Sequence, residues 1–253
     1  MVRPSHPGNV GAAARAIKTM GFNDLCLVDP PLTRVGHHPT AIAMASGATD
    51  VLANLTEVAT LQEALANTTL AFALTARPRE IGPPACDIRQ AAQTSRAHLA
   101  THDHAQVSYV LGTESAGLNN QQIALCQRIC HIPANPDYSS LNVSQAVQLV
   151  AWELHYALSI ATSANLLPHT EAAHDPDHEP ATNTEVQGFM DHLEQALITT
   201  GFLDPAHPRR LMLKLQHLFG RALLTKEETR MLRGICKAMI TNTKRPQPPT
   251  DNR

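Results

Sequence analysis

The residues of this chain best suited to chemistry sit in three short stretches. Ser5-His6-Pro7-Gly8-Asn9-Val10-Gly11 is a Gly-rich turn that opens an Ala-rich helix, with Arg15 in its second turn. Leu111-Gly112-Thr113-Glu114-Ser115-Ala116-Gly117-Leu118 sets a carboxylate in a glycine-bounded loop. Ile132-Pro133-Ala134-Asn135-Pro136-Asp137-Tyr138-Ser139-Ser140-Leu141-Asn142 is a proline-pinned loop bearing two hydroxyls and an amide at the start of a helix. Backbone amides at such a helix start favour anions and polar ligands. Taken alone, the third stretch is explained equally well as a strand-to-helix turn in which Ser139 or Ser140 caps the helix.

Positioning such loops is the work of the elements around them. Short apolar runs at Leu25–Val28, Leu70–Leu74, Val107–Leu111 and Arg128–Ile132 read as strands. Between them, Asn9–Met20, Ala41–Gly47, Leu61–Ala66, Ile88–Leu99 and Asn120–Gln127 read as helices, the first stopped by Gly21. Val143, Val147, Val150, Leu154 and Leu158 recur at steps of three and four, one apolar stripe on a long helix. Alternating strands and helices predict an α/β fold, a mostly parallel sheet with helices on both faces. Ligands of such sheets sit beyond the carboxyl ends of the strands, and the loops at 74–77, 112–118 and 132–140 all follow strands.

Length, at 253 residues, allows one main domain with a smaller appendage. No apolar run reaches the roughly 20 residues of a membrane span, and no basic-then-apolar leader opens the sequence, so a cytoplasmic protein is expected. Five scattered cysteines (Cys26, Cys86, Cys126, Cys130, Cys236) argue against a disulfide framework. Charge is nearly balanced overall, but its distribution is not. Residues 209–245 hold ten Lys or Arg against Glu227 and Glu228, whereas His155–Pro208 holds eight acids and no Lys or Arg. This predicts a main domain at 1–162, an acidic Pro-bearing linker at 163–184, a basic helical domain at 185–245 and a disordered tail at 246–253. Three amphipathic helices are expected in the basic module, at Val186–Thr199, Pro208–Leu223 and Lys226–Ile240, with Thr225 and Glu228 forming a capping box for the last. The basic module suits phosphate binding; a solvated helical surface is its plainer reading.

In order and spacing, the Gly-Asn-x-Gly-x-x-x-Arg opening, the Gly-x-Glu-x-x-Gly-Leu loop and the Asn-Pro-x-Tyr-Ser-Ser-Leu-Asn turn resemble the SPOUT class of RNA methyltransferases. The resemblance is nearest to the TrmJ type of tRNA ribose 2′-O-methyltransferase and is most distinctive over residues 1 to about 160. It implies a C-terminal trefoil knot at roughly 70–160, S-adenosylmethionine as cofactor, tRNA as partner and a homodimer. The implied reaction is 2′-O-methylation of a cytidine or uridine ribose at position 32 of the anticodon loop. Carried over by motif, the cofactor-binding residues are Leu74, Thr75, Ala76, Gly112, Glu114, Gly117, Ile132, Ser139, Ser140 and Leu141. The catalytic residues so implied are Arg15, Asn9, Ser140 and Asn142, and no metal is required. Thr113 and Ser115 stand where relatives carry Arg, which removes cationic RNA contacts from that loop. Only Met1-Val2-Arg3 precede the first loop, where the class has a full strand, so the resemblance implies a start placed too late.

Two alternatives stand beside this reading: a SPOUT 2′-O-methyltransferase for another tRNA or rRNA nucleotide, and a non-catalytic RNA-binding knot protein. Other constellations are weaker. His98, His102, Asp103 and His104 suggest a metal cluster but read better as a solvated turn, and Cys126, Cys130 and His131 as small residues at a buried junction. Gly8-Asn9-Val10-Gly11 lacks the third glycine of a dinucleotide fingerprint and the Gly-Lys of a P-loop.

Overall fold

The structure, a computed structural model, describes residues 1–77, 82–164 and 179–243, with backbone only for 160–164. Six strands alternate with ten helices among these residues: α1 Pro7–Thr19, β1 Cys26–Val28, α2 Pro39–Ala45, α3 Thr49–Ala53, β2 Thr56–Val58, α4 Leu61–Ala64, β3 Leu70–Leu74, β4 Ala85–Asp87, α5 Ile88–Thr101, β5 Val107–Leu111, α6 Asn120–Ala124, β6 Arg128–His131, α7 Val143–Ala164, α8 Asn183–Thr199, α9 Leu211–Ala222 and α10 Lys226–Thr243. Strands β3 and β5 fall on their expected residues, and the expected helices appear with shifted ends. β2, β4 and α3 were not anticipated; each is only three to five residues long, too short to show a period.

All strand pairs are parallel. β1 pairs with β2, and a four-stranded sheet runs in the order β4-β6-β3-β5, so the last strand, β6, lies between two earlier ones. Strand β3 shows why the sheet is covered twice. Leu70 and Phe72 face Ile88, Ala91 and Val150 of α5 and α7. Ala71 and Ala73 face Leu61, Ile123 and Leu125 on the other side. Every β3 residue but Leu74 is buried, the near-continuous apolar run of a central parallel strand. Phe72 stacks on its cross-strand partner Tyr109 at 4.8 Å, and the Tyr109 hydroxyl is satisfied by Ser95 at 2.9 Å.

The first helix is fixed by contact as much as by capping. A side chain at Gly11 would place its Cβ 2.0 Å from the Ala41 carbonyl oxygen, so α1 and α2 cross where only glycine fits. Gly21, with φ of +79°, ends the turn after α1 as expected. On α7, Val143, Ala146, Val147, Val150 and Ala151 are buried, while Leu149, Trp152 and Tyr156 stand exposed on another face.

Helices α8–α10 pack around Phe189, Met190, Leu224 and Cys236, with Phe189 edge-on to Phe219. They are tied to the sheet layer by Asn183. Its amide donates to the Thr68 carbonyl at 2.9 Å and its side chain to the Leu125 carbonyl at 3.2 Å. The Thr225–Glu228 capping box is present, with Thr225 N–H donating at 2.8 Å and Glu228 N–H at 3.2 Å. Most of the expected linker and the tail from residue 244 lie outside the described residues.

Candidate active site

Three strand-to-helix loops meet beyond the carboxyl ends of β3, β5 and β6. They enclose a cavity of about 150 Å³. Leu74, Thr75 and Ala76 come from the first loop, Gly112, Glu114 and Gly117 from the second, and Ile132, Ser139, Ser140 and Leu141 from the third. All ten residues named from the sequence for cofactor contact thus line one space. Three adjacent parallel strands bring their ends together because Leu74 pairs with both Leu111 and Cys130. The Thr75 amide then donates to the Cys130 carbonyl at 3.0 Å, carrying the ladder into the loop.

The second loop is a tight reversal. Thr113 and Gly117 pair antiparallel, and the Gly117 amide donates to the Thr113 carbonyl at 2.9 Å. A Cβ at Gly112 would lie 2.1 Å from the Gly117 carbonyl carbon, and Gly117 has φ of +69°. Neither position admits another residue without rebuilding the loop. The backbone therefore reaches the cavity uncovered by side chains, as close binding of a flat or polar ligand requires.

Glu114 is the hub that links the motifs. It accepts the Ser5 amide at 3.0 Å, the Ser5 hydroxyl at 2.9 Å and the Asn9 side-chain amide at 2.9 Å. Burial acts to raise its pKa, but the hydrogen bonds from Asn9 and Ser5 outweigh it and hold the carboxyl below its ordinary value. Asn9 Oδ1 in turn accepts from Asn142 Nδ2 at 3.0 Å. Asn142 Oδ1 accepts the Ser144 amide at 2.9 Å and the Ser144 hydroxyl at 2.6 Å. One chain of bonds runs from Ser5 to Ser144 and leaves no freedom in the orientation of either asparagine amide.

Two expectations are corrected here. The cap of α7 is Asn142, not Ser139 or Ser140, because the helix begins at Val143 and the Ser144 amide is taken by Asn142. Both serine hydroxyls are thereby released to the cavity wall, and one helix-start amide is withdrawn from ligand binding. Asn9 does not support Arg15; it faces Glu114 and Asn142. Arg15 itself is exposed on α1, is not among the cavity-lining residues, and has no side-chain hydrogen bond or ion pair with the described residues.

Sequence reasoning missed Ser5 and Arg77. Ser5 had no signal beyond its place in the Gly-rich turn, since its partner is 109 positions away. Arg77 lines the cavity, with its amide held by the Thr75 hydroxyl at 3.2 Å. The histidine cluster is structural. His98 bonds Thr69 at 2.8 Å, and burial, then the neighbouring His102, pushes its pKa down to about 4. Among the described residues no group of three His, Cys, Asp or Glu could hold a metal ion, and no helix is long and apolar enough to cross a membrane. Cys126 and Cys130 are buried free thiols, as expected.

Residues 1–152 match the SpoU rRNA methylase family, and residues 184–248 match the C-terminal domain of the tRNA methyltransferase TrmJ. The chain belongs to the SpoU methylase family. Within it, the chain is 41% identical over 93% of its length to a Pseudomonas aeruginosa tRNA (cytidine/uridine/adenosine-2′-O-)-methyltransferase TrmJ, of which 90% is covered. It is 40% identical over 96% of both chains to the Klebsiella pneumoniae tRNA (cytidine/uridine-2′-O-)-methyltransferase TrmJ. The solved TrmJ from Zymomonas mobilis, printed as Z. mobilis ZM4, superposes with a TM-score of 0.77 at 32% identity over 94% of this chain and 96% of that one. For a SpoU methylase, the three-loop cavity lies where the doubly covered sheet gathers its strand ends, and the family's own C-terminal module corresponds to helices α8–α10.

Proposed function

We propose that this SpoU methylase transfers a methyl group from S-adenosylmethionine to a ribose 2′-hydroxyl of tRNA, at a cytidine or uridine of position 32 in the anticodon loop. The observation that carries the reading is the convergence of the three loops on one cavity, locked by the Glu114–Asn9–Asn142 relay. The names of the TrmJ relatives support the substrate class. The Pseudomonas relative's name includes adenosine, which supports a tolerance for a third base at the same site.

The residues fit S-adenosylmethionine: uncovered backbone at Gly112 and Gly117 suits an adenine face, and the Ser139 and Ser140 hydroxyls suit ribose or carboxylate oxygens. When bound, that group supplies an electrophilic methyl on a sulfonium. Everything else falls to the chain. Arg15 cannot act as a base, since its pKa exceeds about 12. Its free fork instead binds the phosphate beside the target ribose and stabilises negative charge growing on the 2′-oxygen. The Ser140 hydroxyl, or a water beside it, takes the proton. Asn9 and Asn142 hold the two halves of the site in register.

Because Arg15 lies outside the cavity of its own subunit, the reading includes a homodimer in which one subunit's Arg15 serves its partner's cavity. The exposed Leu149, Trp152 and Tyr156 stripe on α7 supplies an apolar interface. The order β4-β6-β3-β5, with β6 entering between earlier strands, supports a trefoil knot over roughly 70–160. The domain limits 1–162 and 185–245 and a cytoplasmic location complete the proposal.

Tritium transfer from labelled S-adenosylmethionine to unmodified total tRNA, with the labelled nucleotide mapped, tests it. Label should appear on an anticodon-loop ribose and be lost in Arg15→Ala. Label elsewhere would support a different RNA nucleotide; binding without transfer would support the non-catalytic reading.

A further inference from the structure

A groove of about 650 Å³ separates β1 from β5. We propose that it seats one more parallel strand, formed by residues immediately upstream of Met1 in a longer form of this polypeptide. The geometry of the groove carries this, because the last residues of such a strand are already in place. Val2 pairs in parallel with Val28, and Val28 N–H donates to the Met1 carbonyl at 2.9 Å. Val2 N–H donates to the Leu111 carbonyl and Arg3 N–H to the Val28 carbonyl, each at 2.8 Å. Residues 1–3 therefore join the two sheets in the order β2-β1-(1–3)-β5-β3-β6-β4.

Upstream of Met1 the two edges continue without an occupant among the described residues. The Gln106 carbonyl turns toward β3 and the Leu111 carbonyl toward the groove. The two-residue period of a strand then sets the peptide groups of Val107 and Tyr109 on the groove edge. From Val107 to Leu111 is about 13 Å at a strand's rise, room for about four more residues. The walls are apolar on both faces. Val147, Val150 and Leu154 of α7 line one side, and Val58, Leu61 and Leu65 the other. That is the setting of a central parallel strand of Val and Ile type.

The Met1 nitrogen marks the point where the strand is cut. It is fully buried and donates to the Cys26 carbonyl at 2.7 Å, the partner that a peptide N–H would take in a continuing ladder. Burial pushes this amine down to about 6, with Cys26 acting weakly in the opposite direction. A charged terminus is costly there, and a peptide bond would make the same hydrogen bond at no such cost.

Two measurements test the proposal. The intact mass of the protein isolated from the cells that encode it should exceed 27.4 kDa by several residues at the amino end. Recombinant chains extended ahead of Met1 by four residues, either Val-Ile-Val-Leu or Gly-Ser-Gly-Ser, should also differ. The apolar extension should melt about 4 °C above the polar one and slow amide exchange at Val107 and Tyr109 at least tenfold. A native terminus at Met1 or Val2 overturns the proposal. So do extensions that melt and exchange alike, including the case in which a second copy fills the groove and Tm rises with protein concentration instead.

Discussion

At the scale of single residues, Glu114 matters more than its motif suggested. It gathers Ser5 and Asn9 from a segment more than one hundred positions away, so its removal leaves two donors and an asparagine amide without direction. Glu114→Ala should lower kcat/KM at least tenfold, about 1.4 kcal/mol at the transition state, with S-adenosylmethionine affinity changing less than RNA turnover. Its carboxyl titrates below its ordinary value when folded, so its stabilising contribution is present above the unfolded value of about 4.3 and is lost as pH falls through the folded one. Melting curves taken downward from pH 5 should show that loss in the parent protein and not in Glu114→Gln. Arg15 makes the opposite case, a side chain with no work inside its own subunit. Arg15→Lys keeps the charge but loses the fork, and should cost roughly 10- to 100-fold in methyl transfer if it clamps a phosphate in two-point fashion. Near-normal turnover would remove that role.

At the scale of elements, the junction of β6 and α7 does two jobs with one residue. Asn142 caps the helix and ties it to α1 through Asn9. Asn142→Ala should cost about 1 kcal/mol for the cap alone. Asn142→Ser should recover most of that in thermal melts while leaving transfer depressed, because a serine cannot also reach Asn9. Stability and activity would then separate in one pair of variants. The edge at Met1 has its own signature. Prepared with Met1 first, the protein carries an amine whose folded pKa is about 6 against an ordinary 8. A depressed folded value means that stability is full above pH 8 and falls as pH drops toward 6, so Tm should climb between pH 6 and 8. N-terminal extension should flatten that slope.

At the scale of the whole molecule, charge is partitioned between modules. Arg209, Arg210, Lys214, Arg221, Arg230, Arg233 and Lys237 are exposed on and around α9 and α10, while Lys226 is half-buried in an ion pair with Glu179. Exposed cations without carboxylate partners are free to neutralise phosphates. Replacing Arg230, Arg233 and Lys237 together by Ala should weaken tRNA binding about equally across sequences and reduce the salt dependence of log K by about one per lost contact. Binding that is unchanged in affinity and in salt slope would assign RNA to the main domain alone. The module is held to the sheet layer through Asn183, a buried side chain reaching the Leu125 carbonyl, so its orientation toward the RNA is set by the fold.

The sequence by itself determined the elements and the loops. Period-two and period-3.6 patterns marked β3, β5 and α7, glycines at 112 and 117 marked a tight reversal, and three motifs marked the ten residues that prove to line one cavity. Local pattern suffices there because propensity, capping and turn geometry depend on near neighbours. Tertiary structure alone decided the partners. That Glu114 reaches Ser5, that Asn142 rather than a serine caps α7, and that Arg15 is left facing outward depend on how strands far apart in sequence are ordered in the sheet. A side chain's hydrogen-bond partner 109 positions away leaves no trace in the spacing of its neighbours. The open edge beside Met1 is of the same kind: it becomes visible only when β1 and β5 stand on either side of it.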